Sequence, residues 1–104
     1  MNYTEEQIIE KAKQIMKDLR QEFYSEECIN GIFFTKEKRL LFGENKDKFD
    51  AVWSVGISSF FDNVDFLHIS DETGEPLYYQ NFNTFVFDIG KDTKERYFKI
   101  EEEQ

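Results

Sequence analysis

The chain has 104 residues, of which 39% are hydrophobic and 34% charged, and its net charge at pH 7 is −9. This length and composition predict a single globular domain, 1–104. The acidic balance argues against nucleic acids and anionic membranes as partners and favours a basic protein.

The N-terminus and the single cysteine bear on where the protein works. Residues 1–6 are polar and acidic, and the uncharged run 51–61 is too short to cross a bilayer. We therefore predict a cytoplasmic protein without a signal peptide or membrane span. Cys28 has no partner for an intramolecular disulfide, and we interpret it as a small buried side chain.

The first predicted element is an amphipathic helix over about residues 4–24. Thr4 and Gln7 have the spacing of a capping box, and apolar residues then recur every three or four positions. Such a stripe must pack on an apolar surface. Ser25 is predicted to cap one further short turn, which Gly31 would end.

After residue 31 the apolar period changes to two, which predicts short strands joined by hairpins. We expect 32–35 and 39–42 to form a hairpin across 36–38. The stretches with strand character are 32–35, 39–42, 51–58, 64–70, 77–80, 82–89 and 94–100. Residues 101–104 are an acidic tail.

The last two stretches are predicted to pair across residues 90–93. In this pairing the side chains that face Phe98 and Ile100 are those of Phe85, Phe87 and Ile89. One helix followed by about five or six strands at hairpin spacing, without helical crossovers, predicts an α+β fold. The N-terminal helix packs on an antiparallel meander sheet.

The sequence contains no recognisable catalytic or metal-binding motif. It has no glycine-rich phosphate loop and no calcium-binding loop pattern. His68, the only histidine, lies on a predicted strand, where we interpret it as a packing residue. A pair with Cys28 and a place in a binding surface are the alternatives. We predict a protein without enzymatic activity, metal or cofactor.

The charge is unevenly distributed along the chain. Residues 49–90 contain no lysine or arginine and carry −7, and they hold ten of the 18 aromatic residues. Tyr78 and Tyr79 are adjacent on a strand and should point to opposite faces. Aromatic rings among carboxylates are typical of a protein-binding surface, although the rings could instead fill the core while the acids only keep the domain soluble. The residues expected to bind a partner are Trp53, Asp62, Asp65, Asp71, Glu72, Glu75 and Tyr79.

The chain has a helix, then Trp53-Ser54-Val55, then Asp71-Glu72-Thr73-Gly74-Glu75 followed by Leu77-Tyr78. This order of elements resembles that of small PepSY-type domains. Several bacterial toxin-immunity proteins of similar build share it. The resemblance covers roughly residues 5–80 and implies a non-catalytic inhibitory or binding module. These families offer no catalytic residues to carry over.

The leading functional prediction is a non-enzymatic bacterial protein, monomeric or homodimeric, that masks a basic partner. An immunity protein against a cationic toxin such as a nuclease fits this description, since its negative surface would mimic nucleic acid. Two alternatives remain open. One is a small-ligand-binding domain with a pocket between helix and sheet that contains His68. The other is a module that self-associates through an aromatic outer face.

Overall fold

The computed structural model describes residues 1–41, 46–59, 62–83 and 85–100. Within them the chain forms α1 (Glu5–Arg20), two 3-10 turns and six strands. The strands are β1 (Ile29–Arg39), β2 (Phe49–Ser58), β3 (Val64–Ser70), β4 (Pro76–Gln80), β5 (Val86–Lys91) and β6 (Tyr97–Ile100). Each strand pairs antiparallel with the next. The predicted α+β fold, an N-terminal helix on an antiparallel meander, is confirmed.

Parts of several predicted elements lie outside the described residues. They are Phe42 at the end of the second predicted strand, Phe60 and Phe61 before the β3 turn, Thr84 within the predicted strand 82–89, and the acidic tail 101–104. Of the described part of 82–89, the strand begins only at Val86.

The helix begins as predicted and ends earlier. The Thr4 hydroxyl accepts the Gln7 N–H at 3.2 Å, and the Gln7 side chain accepts the Thr4 N–H at 2.9 Å, which completes the capping box. α1 ends at Arg20 because Gln21 adopts φ 51°, a left-handed conformation that interrupts the helix. Among the described residues no helix is long and apolar enough to cross a membrane.

The turn after the helix is capped as predicted but is followed directly by a strand. The Ser25 hydroxyl accepts the Glu27 N–H at 3.3 Å at the start of the 3-10 turn Glu26–Cys28. Gly31 does not end this turn, because β1 already begins at Ile29. Gly31 instead has φ 93° within the strand, at an irregularity in its pairing with β2.

The predicted hairpin across residues 36–38 is wrong. β1 is one strand that pairs with β2, with Phe34 opposite Trp53 and Arg39 opposite Phe49. Its register shifts between Thr35 and Lys38. A bulge of this kind accommodates the charged residues in the strand without reversing the chain.

The last hairpin forms, but its predicted register is wrong by one residue. Gly90 lies opposite Phe98 and Asp88 lies opposite Ile100, so these four residues share the face that points away from α1. Gly90 leaves room for the Phe98 ring, whose Cζ atom would lie 2.6 Å from a β-carbon at this position. The residues predicted to face Phe98 and Ile100 were Phe85, Phe87 and Ile89.

The two faces of the sheet are covered differently. α1 packs on one face through Ile8, Ala12, Ile15 and Met16. The sheet residues beneath it are Trp53, Val55, Ile57, Leu67, Ile69, Tyr79, Ile89 and Tyr97. The opposite face carries a smaller cluster of Leu40, Val52 and Tyr78. Tyr78 and Tyr79 therefore point to opposite faces, as predicted.

The sheet curves around α1. Five interstrand spacings give a width of about 24 Å, more than twice the diameter of about 10 Å of a helix. Nevertheless α1 contacts both edge strands, β1 and β6. At β6, the Asp18 carboxylate accepts the Tyr97 N–H at 3.1 Å, and at β1, Ile32 and Phe34 pack into the helix-side core. A flat sheet could not bring both edges to one helix.

Candidate functional site

The antiparallel topology gives the sheet two ends. The upper end is the end with the turns that follow β1, β3 and β5. The lower end is the end with the turns that follow β2 and β4. The C-terminal end of α1 lies at the lower end, because Arg20 Nη2 donates to the Ser58 carbonyl at 3.1 Å. The structure divides the predicted site residues between these ends, which β3 separates by about 20 Å. Trp53, Asp71, Glu72 and Glu75 lie toward the upper end, and Asp62, Asp65 and Tyr79 lie toward the lower end.

Asp71 at the upper end is a structural anchor. Its carboxylate accepts the Trp53 indole N–H at 2.9 Å and the backbone N–H groups of Asn2 at 2.8 Å and Tyr3 at 3.3 Å. Burial raises the pKa of Asp71, but the hydrogen bonds from Trp53, Asn2 and Tyr3 outweigh it, so the pKa is lowered overall. Both Asp71 and Trp53 are buried, and together they hold the N-terminus against the sheet.

Glu75 is engaged in an ion-pair network. It accepts the Tyr97 hydroxyl at 2.5 Å and Lys91 Nζ at 3.0 Å, and Lys11 Nζ lies 3.8 Å away. Burial raises the pKa of Glu75, and the hydrogen bonds from Tyr97 and Lys91 lower it by more. The two lysines offset its charge locally, which leaves Glu72 as the exposed acid of this turn.

His68 lies in a buried polar row on the face opposite α1. Its Nδ1 is 2.8 Å from the Ser54 hydroxyl, and its Nε2 is 3.4 Å from Gln80 Oε1. Since Gln80 Oε1 only accepts, Nε2 carries the proton and Ser54 donates to Nδ1. Burial and the positive charge of Lys38 lower the pKa of His68 to about 4.

Ser54 and His68 have the chemical groups of a nucleophile and a general base, but neither side chain is open to a substrate. Ser54 is 0% exposed and His68 is 3% exposed, so a substrate cannot reach either side chain. Cys28 belongs to the helix-side core, so the sheet separates it from His68, and burial raises its pKa. Among the described residues, no three His, Cys, Asp or Glu side chains come together to hold a metal ion.

A groove at the lower end is the strongest candidate for a functional site. It has a volume of about 490 Å³ and lies between the C-terminal half of α1 and strands β3 to β6. Met16 and Leu19 of the helix form one wall. The sheet side is formed by Asp65, Tyr79, Phe82, Phe87, Tyr97 and Lys99. Both volume and lining are typical of a binding site, with apolar walls and a few polar groups.

The floor of the groove is fixed by Asp65. Its carboxylate accepts the Tyr79 hydroxyl at 2.6 Å and the Phe82 N–H at 2.9 Å. Burial and the neighbouring Asp65 raise the pKa of Tyr79, so Tyr79 remains a hydrogen-bond donor at neutral pH. The Tyr79 ring stacks on Phe87, with centroids 4.8 Å apart and planes at 20°. These contacts hold the aromatic surface of the groove rigid.

Exposed aromatic and acidic side chains surround the groove. Phe23 is 80% exposed beside Ser58 and Ser59, and Phe85 is 71% exposed in the turn after β4. The described parts of the segments that meet here, 18–32, 56–66 and 79–87, contain Arg20 as their only basic residue, and Lys99 of β6 also lines the groove. Their acidic residues are Asp18, Glu22, Glu26, Glu27, Asp62 and Asp65. The lower end therefore combines apolar surface with negative charge.

Sequence reasoning found part of this site. Asp62, Asp65 and Tyr79 were predicted as site residues and lie at or near the groove. The groove residues it missed include Asp18, Leu19, Arg20, Phe82, Phe87, Tyr97 and Lys99, and it also missed the exposed Phe23 beside the groove. The sequence placed Phe23 on the apolar stripe of a helix predicted to reach residue 24, whereas α1 ends at Arg20 and leaves Phe23 exposed.

Comparisons with protein-family models, with curated proteins and with solved structures found no match to this chain. The resemblance to PepSY-type and toxin-immunity domains therefore stays a prediction from the sequence. The interpretation of the site rests on the geometry and charge of its own residues.

We expect the substitution Asp71→Asn to destabilise the protein by about 1–3 kcal/mol, because charged hydrogen bonds to three donors are weakened. Urea denaturation at pH 7 measures this change. The matched control is Glu72→Gln, which removes the same charge from the next residue, where the side chain is exposed, and should stay within about 0.5 kcal/mol of the wild type. Equal effects of the two substitutions would contradict a structural role for Asp71.

We also expect stability to fall as the pH is lowered from 6.5 to 4. His68 is protonated in the unfolded state near pH 6.5 but in the folded state only near pH 4, so the folded state binds fewer protons across this range. The loss from this one residue is about 3 kcal/mol. Denaturation at several pH values between 7 and 5 should show a shallower decline for His68→Asn than for the wild type. Parallel curves would refute the assignment.

Proposed function

We propose that this protein is a non-enzymatic binding module that holds a basic protein partner at its lower end. The observation that carries the proposal is the meeting of two acidic segments around a groove with exposed aromatic residues. Aromatic side chains are frequent anchors in protein interfaces, and clustered charge accelerates the encounter with a partner of opposite charge. The net charge of −9 also attracts a basic partner over longer distances.

The proposal assigns different roles to the two ends. Trp53 and Asp71 are used in holding the N-terminus, and Glu75 is paired with two lysines. At the lower end Glu22, Glu27 and Asp62 are exposed. Exposed acids can meet a basic partner without breaking contacts of the fold, so we assign partner binding to the lower end.

The specific case we favour is an immunity protein that neutralises a cationic toxin. A nuclease must present positive charge to bind a phosphate backbone, and an acidic end with aromatic anchors would cover such a surface. The resemblance of the sequence to toxin-immunity proteins supports the same class. A cytoplasmic location is part of this proposal, since an immunity protein meets the toxin where it acts.

Binding of a small ligand is the second candidate, favoured by the groove between helix and sheet. His68 was expected in this pocket, but it lies on the opposite face of the sheet, so the polar groups available to a ligand include those of Asp65, Tyr79 and Arg20. This candidate requires that a free small molecule raises the melting temperature in the absence of any protein partner.

A pull-down from bacterial lysate with two charge-matched variants tests the leading proposal. The site variant carries Glu22→Gln, Glu27→Gln and Asp62→Asn. The control variant carries Glu6→Gln, Glu37→Gln and Glu72→Gln, which remove the same charge from exposed positions away from the lower end. We expect the wild type and the control to retain proteins of basic isoelectric point at low salt, and the site variant to lose most of them.

Three results would contradict the proposal. They are recovery of acidic proteins only or of none, retention that does not decrease with salt, and equal losses for the site and control variants. The last result would mean that net charge alone, and not the lower end, determines binding.

A further inference from the structure

The aromatic surface inside the groove already binds a cation of the protein itself. Lys99 Nζ, from the edge strand β6, lies 4.4 Å from the centroid of the Phe87 ring. The ring is held in place by stacking on Tyr79. A cation over a ring face at this distance is attracted by the negative charge of the π-system. The groove thus offers a ring that is oriented to receive an ammonium or guanidinium group.

Two carboxylates line the same groove. Asp65 lies at its floor and Asp18 at its helical wall, and each also accepts a backbone N–H, from Phe82 and Tyr97 respectively. Arg20 also lines the groove, so once Lys99 leaves the ring the two carboxylates exceed the remaining positive charge by one. An entering cation therefore replaces the charge of Lys99 beside these carboxylates. The apolar walls can meanwhile contact the aliphatic stem that carries the cation.

We propose that the groove recognises one lysine or arginine side chain of the protein partner, which takes the place of Lys99 over the Phe87 ring. This inference rests on the proposed function and names the chemical group that the lower end binds. The volume of about 490 Å³ accommodates one such side chain. Lys99 is exposed on the edge strand β6, outside the buried core.

Binding of three tripeptide probes tests the inference. The probes are acetyl-Gly-Lys-Gly-amide, acetyl-Gly-Arg-Gly-amide and the uncharged acetyl-Gly-norleucine-Gly-amide, which has the lysine stem without the charge. In heteronuclear NMR spectra of the labelled protein, we expect at least one cationic probe to shift the amide signals of Tyr79, Phe87 and Lys99. The lysine and arginine probes distinguish which side chain is preferred. Equal shifts with the norleucine probe, or no shifts with either cationic probe, would overturn the inference.

Substitutions in the groove provide the second test. Lys99→Met removes the internal competitor, so we expect the cationic probe to bind about two- to five-fold more tightly, the range of an exposed cation–π contact. Phe87→Leu should weaken binding by a similar factor. The matched control for it is Phe49→Leu at the start of β2, which changes a 69% exposed ring at the upper end and should leave binding unchanged. Unchanged or weaker binding by Lys99→Met would refute the displacement of Lys99.

The two proposals can fail separately. If basic proteins are lost only with the charge variant at the lower end while no cationic tripeptide binds, the proposed function stands and the groove is not the recognition site. If the tripeptides bind but no basic protein is retained, the groove binds cations and the proposed protein partner is wrong.

Discussion

The curvature of the sheet around one helix is the constraint from which the other features follow. A single helix can bury the inner face of six strands only if the sheet bends toward it at both edges. Asp18 fixes one edge by accepting the Tyr97 N–H of β6, and Arg20 fixes the other side by donating to Ser58 of β2. The helix ends at Arg20, before it covers the lower halves of β4 to β6, and the uncovered space is the groove.

Buried carboxylates determine which acids remain available to a partner. Asp71 and Asp65 are buried, and each is held by several hydrogen-bond donors, as a buried charge requires. They stabilise the N-terminus and the floor of the groove. The electrostatic field that a partner meets therefore comes from exposed acids such as Glu22, Glu27 and Asp62, which contribute little to stability and are free to determine binding.

Local patterns predicted the fold better than they predicted the site. The capping box and the bounds of β3, Val64–Ser70, followed from spacing alone. The prediction of a hairpin across 36–38 was wrong because a bulge can hold charged residues within one strand. The predicted register of the last hairpin was wrong because Gly90, which has no side chain, leaves space opposite it for the Phe98 ring. The charge segregation pointed to residues 49–90, but Asp71 finds its donors at Asn2 and Tyr3, about seventy positions away. Contacts at that separation carry no local signal.

The central claim is that the lower end, and not the acidic turn at the upper end, binds positive charge on proteins. Chemical-shift mapping with a poly-lysine peptide at physiological salt tests it directly, because the peptide can choose between both ends of the same molecule. We expect the shifted amide signals to cluster at Phe23, Asp62, Phe82 and Phe87. Shifts centred on Glu72, or spread evenly over all exposed acids, would contradict it.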